Sequence, residues 1–407
     1  MNIDAHSKSL HLSYCLNVHP GETWQENYTA IATHACAVRD RLNVSTPFGL
    51  GLRLSHRAAE ELSQPVRRRA FADWMKDQNL YTFTINGFPY GDFHGQPVKA
   101  QVYEPDWTTT ERRDYTLQLI ELLAALLPEE QEGSISTVPL GFAAKLTAPE
   151  KLKQTARHLA ECALACHRLY EETGRLIHLG LEPEPACRLE TTTQLIEYME
   201  DYLLRDGAQH IGDALGCTRE TAEAIVRRHV GVCLDTCHVA LQFEDPVAVL
   251  RQYQDHGIRL SKIQISAALS CQNTAAARAA LGEFDEPVYL HQVRTRTDDG
   301  AVDGWTDLPE GLAALAARSK YDPVRVHFHV PLYWQGTPAD EAQLQSTTGT
   351  LSPEFWAALR AGVCSHLEIE TYTFDVLPPS LRTSGIEAHI EQEYRWVLDR
   401  LGSGQSD

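Results

Sequence analysis

The chain has 407 residues, of which 43% are hydrophobic and 22% are charged, values typical of a globular protein with a large core. Its formal net charge of −19 at pH 7 repels phosphate backbones and anionic lipid surfaces, which argues against nucleic acid as a partner. No apolar run reaches the ~18 residues that span a bilayer, and the first residues lack the apolar core of a signal peptide. We therefore expect a cytoplasmic protein without direct membrane insertion.

Short β-branched or aliphatic runs alternate along the chain with longer segments of helical periodicity. This alternation is typical of βα units that build a parallel sheet. The predicted strands are 12–18, 48–54, 81–86, 134–140, 176–182, 230–235, 260–265 and 366–371. The predicted helices are 24–41, 56–78, 111–127, 149–174, 190–206, 219–228, 246–256 and 352–361. Eight such units predict an α/β fold, the (β/α)₈ TIM barrel.

The predicted barrel is interrupted between its seventh and eighth strands. Extended runs at 287–296 and 324–332 lie in this stretch, and we interpret 267–340 as an insertion. Either run could instead be a barrel strand, because periodicity does not distinguish a barrel strand from a hairpin strand. Residues 1–401 are predicted to form one domain, followed by a disordered polar tail at 402–407.

Acidic side chains end three of the predicted strands. The carboxyl ends of barrel strands meet at one rim, so polar residues there are candidates for function. Glu182 and Glu184 follow strand five at alternate positions, which places them on one face. Asp235 ends strand six, and Glu370 ends strand eight. Like charges gathered at one rim require a cation. The alternatives are a solvated acidic turn at Glu182 and Glu184, and a helix cap at Asp235.

Neutral metal ligands are predicted from strand seven and from the insertion. His327 and His329 alternate in VRVHFHVPL, and imidazole often joins carboxylates around a divalent metal. Gln264 offers an amide oxygen from strand seven. Two satisfied histidines on a half-buried strand are the alternative for His327 and His329. The predicted cofactor is one divalent ion, Mn²⁺, Mg²⁺, Fe²⁺ or Zn²⁺, held by Glu182, Asp235, Gln264, His329 and Glu370.

Aromatic and polar residues near the predicted rim suit a small polyhydroxylated metabolite such as a sugar or a cyclitol. Because the sequence shows no glycine-rich phosphate loop, it does not support a phosphorylated substrate. The predicted substrate contacts are His19, Trp24, Asn86, Phe88, Glu184, His238, Lys262 and His327.

These motifs resemble the xylose-isomerase-like superfamily of sugar-phosphate isomerases and epimerases. The matching segments, in order, are LEP at 181–183, LDTCH at 234–238, KIQIS at 262–266 and LEIE at 367–370. SYCLNVHPGETW near the start and TINGFPYG at 84–91 resemble more closely its EboE branch, called metabolite traffic proteins. The resemblance implies a TIM barrel. The EboE branch further implies pathway partners of the prenyltransferase and cyclase classes.

The resemblance also implies roles for two glutamates. In the epimerases of the superfamily, the glutamates of strands five and eight bind the metal and exchange a proton beside the carbonyl, which corresponds to Glu182 and Glu370 here. Gln264 is a departure, because those epimerases usually carry histidine in strand seven. His329, or less directly His327 or His291, could supply the missing imidazole.

The sequence therefore predicts a divalent-metal-dependent isomerase or epimerase that acts on a sugar-like or cyclitol-like carbonyl metabolite through carboxylate acid/base proton transfer. The alternative is a non-catalytic metabolite-binding or carrier protein of a secondary-metabolite pathway. A third, weaker interpretation is metal-assisted hydrolysis or phosphodiester cleavage, which the net charge of −19 disfavours.

Overall fold

The computed structural model describes residues 1–5, 8–91, 97–318, 322–337, 343–382 and 384–402. Its strands fall into two sheets, a large one dominated by parallel pairs and a smaller antiparallel one. In chain order the strands are β1 (Asn2–Ala5), β2 (Lys8–Tyr14), β3 (Phe48–Arg53), β4 (Leu80–Asn86), β5 (Gly133–Thr137), β6 (Ile177–Leu181), β7 (Val230–Asp235), β8 (Leu260–Ile265), β9 (Leu269–Gln272), β10 (Val293–Arg296), β11 (Val302–Trp305), β12 (Pro323–Val326), β13 (Gln345–Ser346) and β14 (His366–Ile369).

Eight of these strands form the barrel, in the order β2-β14-β8-β7-β6-β5-β4-β3. Each neighbouring pair is parallel, and a parallel bridge between Cys15 and Gly51 closes the ring between β2 and β3. Strands β3, β7 and β8 are buried at every position, as parallel strands are when helices cover them outside and side chains fill the inside. The predicted (β/α)₈ barrel is confirmed.

Helices follow the barrel strands and cover them, which is the arrangement that buries both faces of a parallel sheet. Two longer helical stretches contain π-helical segments, Ile31–Ala35 and Met199–Gly207. The α-helices are Trp24–Ala30, Cys36–Leu42, His56–Leu62, Pro65–Asp77, Thr110–Leu126, Pro149–Thr173, Thr192–Tyr198, Ala208–Leu215, Arg219–His229, Thr236–Leu241, Pro246–Asp255, Ala275–Leu281, Leu308–Ala316, Pro353–Arg360 and Ile386–Leu401.

The first barrel strand differs from the prediction of 12–18. Strand β2 begins and ends earlier, and Leu16–Val18 form a 3₁₀ turn beyond its end. These residues are buried because they pack at the barrel rim. Apolar side chains can thus be buried there in a turn as well as in a strand. An apolar run alone does not separate these two situations.

The insertion between β8 and β14 forms the second sheet, with strand order β11-β10-β12-β9-β13 and antiparallel pairing throughout. The runs 287–296 and 324–332 therefore contain insertion strands, β10 and β12, and neither belongs to the barrel. Beyond β12 the chain returns to the barrel mouth, where the amide of Val330 donates to the carbonyl of Ala267 at 2.9 Å. Part of 267–340, and all of the tail 402–407 except Gly402, lies outside the described residues.

Among the described residues, no helix is both long enough and apolar enough to cross a membrane.

The closing seam of the barrel leaves no room for a side chain at Gly51. A Cβ atom there would collide with Oε1 of Glu368 and lie 2.8 Å from the carbonyl oxygen of Tyr14. Gly51→Ala is therefore expected to lower the free energy of unfolding by about 1–3 kcal/mol, the usual cost of overpacking. Urea denaturation measures it. Gly282→Ala is the control, since no atom of the described residues beyond its immediate surroundings in the chain lies within 4 Å of a Cβ there. Equal effects in the two variants would contradict the packing argument.

Candidate metal centre

A cavity lies at the carboxyl ends of the barrel strands. Glu182 and Glu370 reach it from the ends of β6 and β14, while the insertion contributes Tyr289 to the wall. The fold thus brings distant parts of the chain to one site. The predicted site residues in its wall are Asn86, Phe88, Glu182, Glu184, His238, His327, His329 and Glu370.

Three carboxylates from three strands meet beside this cavity. Glu182, Asp235 and Glu370 each offer an oxygen that lies within 4.8 Å of those of the other two. Each side chain also has one buried oxygen without a hydrogen-bond partner among the described residues: Glu182 Oε2, Asp235 Oδ2 and Glu370 Oε2. Buried anions without partners are costly unless a cation neutralises them. The donor set therefore fits a divalent metal ion.

Burial and mutual repulsion act on the ionisation of the two glutamates. Burial, followed by the charge of Asp235, raises the pKa of Glu182 well above its ordinary value. Burial, followed by the charge of Glu182, does the same to the pKa of Glu370. Without a cation, the centre therefore disfavours the ionised form of both glutamates.

Asp235 is held ionised by its neighbours. Burial opposes this, but donors to its carboxylate, the hydroxyl of Ser266 and the amide of His238, hold the pKa of Asp235 below its ordinary value. Its Oδ1 accepts from the amide of Cys237 at 2.7 Å, the amide of His238 at 3.1 Å and the hydroxyl of Ser266 at 2.6 Å. Asp235 therefore caps the helix Thr236–Leu241 with one oxygen and directs the other to the carboxylate cluster.

Two amides hold Glu370 in place. Asn17 Nδ2 donates to Glu370 Oε1 at 2.6 Å, and Asn86 Nδ2 donates to the same oxygen at 3.3 Å. The Oδ1 of Asn86 accepts from the amide of Phe88 at 3.0 Å, which fixes which end of the side chain faces Glu370. Asn86, predicted as a substrate contact, lies in the cavity wall and also orients this carboxylate.

Three imidazoles at the cavity share one hydrogen-bonding state. Nδ1 of His329 bonds the carbonyl of Glu370 at 2.7 Å, and Nδ1 of His238 bonds the carbonyl of Pro183 at 3.0 Å. Carbonyl oxygens only accept, so in both rings Nδ1 carries the proton and Nε2 carries the lone pair. His327 has the same arrangement, with Nδ1 bonded to Gln292 Oε1 at 2.6 Å. This is the state in which histidine binds metals through Nε2.

His329 keeps one ring nitrogen that no described residue bonds. Its Nε2 is buried without a partner among the described residues, and the ring lies in a cluster with Asp235 and His238 whose ligand atoms are within 4.8 Å of one another. His291 is different, because its Nδ1 bonds the carbonyl of His327 at 2.9 Å and its Nε2 bonds Glu286 at 2.8 Å. Gln264 stands where the epimerases that the sequence resembles usually carry a histidine ligand. His329 could supply that imidazole, because its Nε2 has no described partner, whereas both ring nitrogens of His291 are already hydrogen-bonded.

Three predicted substrate contacts, His19, Trp24 and Lys262, lie away from the cavity wall that the structure describes. His19 is hydrogen-bonded to the hydroxyl of Tyr14 at 3.1 Å, and Trp24 packs edge-on against Phe71 with ring centroids 4.6 Å apart. Both side chains are buried at less than a tenth exposure. His19 and Trp24 follow an apolar run because they pack against neighbouring side chains at the barrel rim.

The strand-seven residues lie inside the barrel. Lys262 Nζ pairs with Glu368 Oε2 at 2.7 Å, both side chains are fully buried, and Lys262 is not part of the described cavity wall. Gln264 lies in register with Asp235 and Glu368 on the flanking strands. Its Oε1 accepts from the thiol of Cys233 at 2.9 Å, and its Nε2 has no partner among the described residues. Its role as a metal ligand stays a prediction.

Sequence reasoning missed several residues of the site. Asn17 holds Glu370, and the hydroxyl of Tyr103 donates to Glu184 Oε1 at 2.9 Å. Gln292 Nε2 in turn donates to the Tyr103 hydroxyl at 3.1 Å. These side chains come from a 3₁₀ turn or from irregular chain, so no strand-end pattern marks them.

No family model matches the sequence, and no curated protein matches it. Solved structures of similar fold include an IOLI protein with a bound zinc atom (12% identity, TM-score 0.48, 98% of this chain and 100% of that one). A second is L-ribulose 3-epimerase (12% identity, TM-score 0.47, 97% of this chain and 95% of that one). A third is a xylose isomerase domain protein from Alicyclobacillus acidocaldarius (10% identity, TM-score 0.47, 96% of this chain and 98% of that one). Such distant likenesses carry no argument about chemistry, and the resemblance to the EboE branch stays a prediction.

Proposed function

We propose that the chain is a divalent-metal-dependent isomerase or epimerase acting on a sugar-like or cyclitol-like carbonyl metabolite. The observation that supports it is the meeting of Glu182, Asp235 and Glu370 beside one cavity, each with a buried oxygen that has no hydrogen-bond partner among the described residues. Oxygen-rich clusters of this kind suit Mn²⁺ or Mg²⁺, and His329 beside them also admits Fe²⁺ or Zn²⁺. When bound, such an ion polarises a carbonyl and acidifies the neighbouring C–H group.

The two glutamates provide the proton transfer. Strands β6 and β14 are separated by β7 and β8 in the barrel, so Glu182 and Glu370 approach the cavity from different strands. One carboxylate removes the proton from the carbon beside the carbonyl and the other returns a proton. Return to the opposite face of the same carbon inverts its configuration. Return to the carbonyl carbon, with the hydroxyl proton passing to the former carbonyl oxygen, moves the carbonyl. Asn17 and Asn86 fix the orientation of Glu370 through its Oε1 and leave Oε2 for this work.

The cavity wall favours an uncharged, hydroxyl-bearing substrate. Phe88 and Tyr289 give it apolar faces, and the imidazoles and carboxylates give it acceptors for hydroxyl groups. Among the wall residues that the structure describes, Lys99 is the only lysine or arginine. Its Nζ pairs with Asp307 at 2.7 Å and with the carbonyl of Tyr289 at 2.7 Å. A phosphate group would find no uncommitted cationic side chain among these residues.

Hydrogen exchange tests the proposal directly. Metal-loaded protein incubated in D₂O with a panel of ketoses, aldoses and keto-cyclitols is expected to incorporate deuterium at the carbon beside the carbonyl of at least one compound. Proton NMR detects this as loss of one C–H signal. Protein stripped with a chelator is the control and is expected to show none. Metal-loaded protein that exchanges no compound in the panel would contradict the proposal. A raised melting temperature without exchange would favour the carrier alternative.

A further inference from the structure

We propose that His238, His327 and Glu184 form a second divalent-cation site next to the carboxylate centre. One ligand atom from each residue lies within 4.8 Å of those of the other two. All three side chains are buried and reach the cavity wall. The proposal adds an ion to the single one assigned above, and it gives these residues a role other than contact with substrate.

The arrangement of the two imidazoles calls for a cation. Nε2 of His238 lies 3.2 Å from Nε2 of His327. Each ring uses Nδ1 elsewhere: His238 donates to the carbonyl of Pro183 at 3.0 Å and His327 to Gln292 Oε1 at 2.6 Å. The amide of Gln292 is oriented by its Nε2, which donates to the carbonyl of Pro185 at 3.3 Å. The two Nε2 atoms therefore face each other with lone pairs, which repel and form no hydrogen bond.

A metal ion removes this repulsion at the separation observed. Zinc–imidazole bonds of about 2.0–2.1 Å with tetrahedral angles place two nitrogens roughly 3.3 Å apart. The Nε2 atoms of His238 and His327 are 3.2 Å apart, which is close to that spacing. A proton shared between the rings is the competing explanation. Burial disfavours it, because both rings are buried and a charged imidazolium is costly away from water.

Glu184 supplies the negative charge that a divalent ion needs beside two neutral rings. Its Oε1 accepts from the hydroxyl of Tyr103 at 2.9 Å, which fixes the carboxylate at the edge of the cavity. Glu184 is buried, and a buried carboxylate is costly unless a cation neutralises it. An ion beside it would stabilise its charged form.

The two sites are neighbours through Asp235. Its carboxylate clusters with Glu182 and Glu370 on one side and with His238 and His329 on the other, in each case with ligand atoms within 4.8 Å of one another. The sites differ in chemistry, because carboxylate oxygens dominate the first, with His329 beside it, and imidazole nitrogens dominate the second. Imidazole favours Zn²⁺ or Co²⁺, whereas a carboxylate cluster also suits Mn²⁺ or Mg²⁺.

Counting bound ions tests the proposal. Metal-free protein is saturated with Zn²⁺, dialysed and analysed by mass spectrometry of the element. The wild type is expected to retain two ions per chain and His327→Gln one. His229→Gln is the matched control, because His229 is also fully buried, bonds a carbonyl through Nδ1 at 2.7 Å and leaves Nε2 without a described partner. It is expected to retain two ions. A wild type with one ion, or a His327→Gln variant with two, would overturn the second site.

A measurement on the wild type removes dependence on the folding of any variant. In Co²⁺-loaded protein, the Nδ1–H protons of metal-bound imidazoles give shifted, exchangeable NMR signals. At least two such signals are expected, one from His238 and one from His327, in addition to any signal from His329. A single signal or none would reject the proposal. Ion counting does not depend on turnover. Two bound ions per chain without deuterium exchange would support this inference and reject the proposed function. Deuterium exchange with only one bound ion per chain would support the proposed function and reject this inference.

Discussion

Glu370→Gln is expected to slow deuterium exchange by roughly 10²–10⁴-fold, the contribution typical of a positioned acid or base. Glutamine keeps the size of the side chain but cannot take up or return the proton. It also removes a negative charge from the cluster with Glu182 and Asp235, so the affinity for the metal is expected to fall. Initial exchange rates by NMR at several metal concentrations separate the two effects, because a pure loss of affinity is restored at high metal concentration and a loss of proton transfer is not.

Glu393→Gln is the matched control for this prediction. Glu393 is as buried as Glu370, and it accepts from the hydroxyl of Thr371 at 2.7 Å and the amide of Leu332 at 3.1 Å. It is not part of the described cavity wall, so its replacement is expected to leave exchange unchanged. Glu182→Gln is expected to behave as Glu370→Gln does, and the double variant is expected to lose little more than either single one, because the two act as a unit. Full exchange in Glu370→Gln would remove this residue from the mechanism.

The barrel could be predicted because its strands are buried on both faces. Such strands appear in a sequence as continuous apolar runs, and each one ends at the same rim. Glu182, Asp235 and Glu370 were therefore recognisable as polar residues that follow apolar runs. Their mutual approach within 4.8 Å follows from the closure of the barrel once the strands are placed in chain order.

The site residues that lie outside regular strands are harder to predict from the sequence. His327 and His329 were predicted on one face of a strand, but β12 ends at Val326 and the chain carries both rings back over the barrel mouth. Asn17 follows β2 in a 3₁₀ turn whose backbone path decides that it meets Glu370. Alternation rules cover regular strands only, so side-chain direction beyond a strand end needs coordinates. The facing lone pairs of the histidines likewise depend on contacts that no sequence pattern encodes.

Lys262→Met is expected to lower the free energy of unfolding by about 3–5 kcal/mol, the cost typical of breaking one partner of a buried ion pair. Lys262 and Glu368 are both fully buried inside the barrel, and Nζ lies 2.7 Å from Oε2. Burial opposes the charge on the lysine, yet the Glu368 carboxylate holds the pKa of Lys262 above its ordinary value. Methionine preserves most of the volume, so the loss measured by urea denaturation reports the charge left alone on Glu368 rather than a cavity.

The double variant Lys262→Met/Glu368→Gln separates these contributions. If the single variant is unstable because of an uncompensated carboxylate, removing that charge is expected to recover much of the loss, and the double-variant cycle is expected to show strong coupling. Losses that simply add would mean that the pair contributes through packing alone. The barrel interior would then tolerate a lone carboxylate beneath Glu182 and Glu370, and the argument that three such groups require a cation would lose its physical basis.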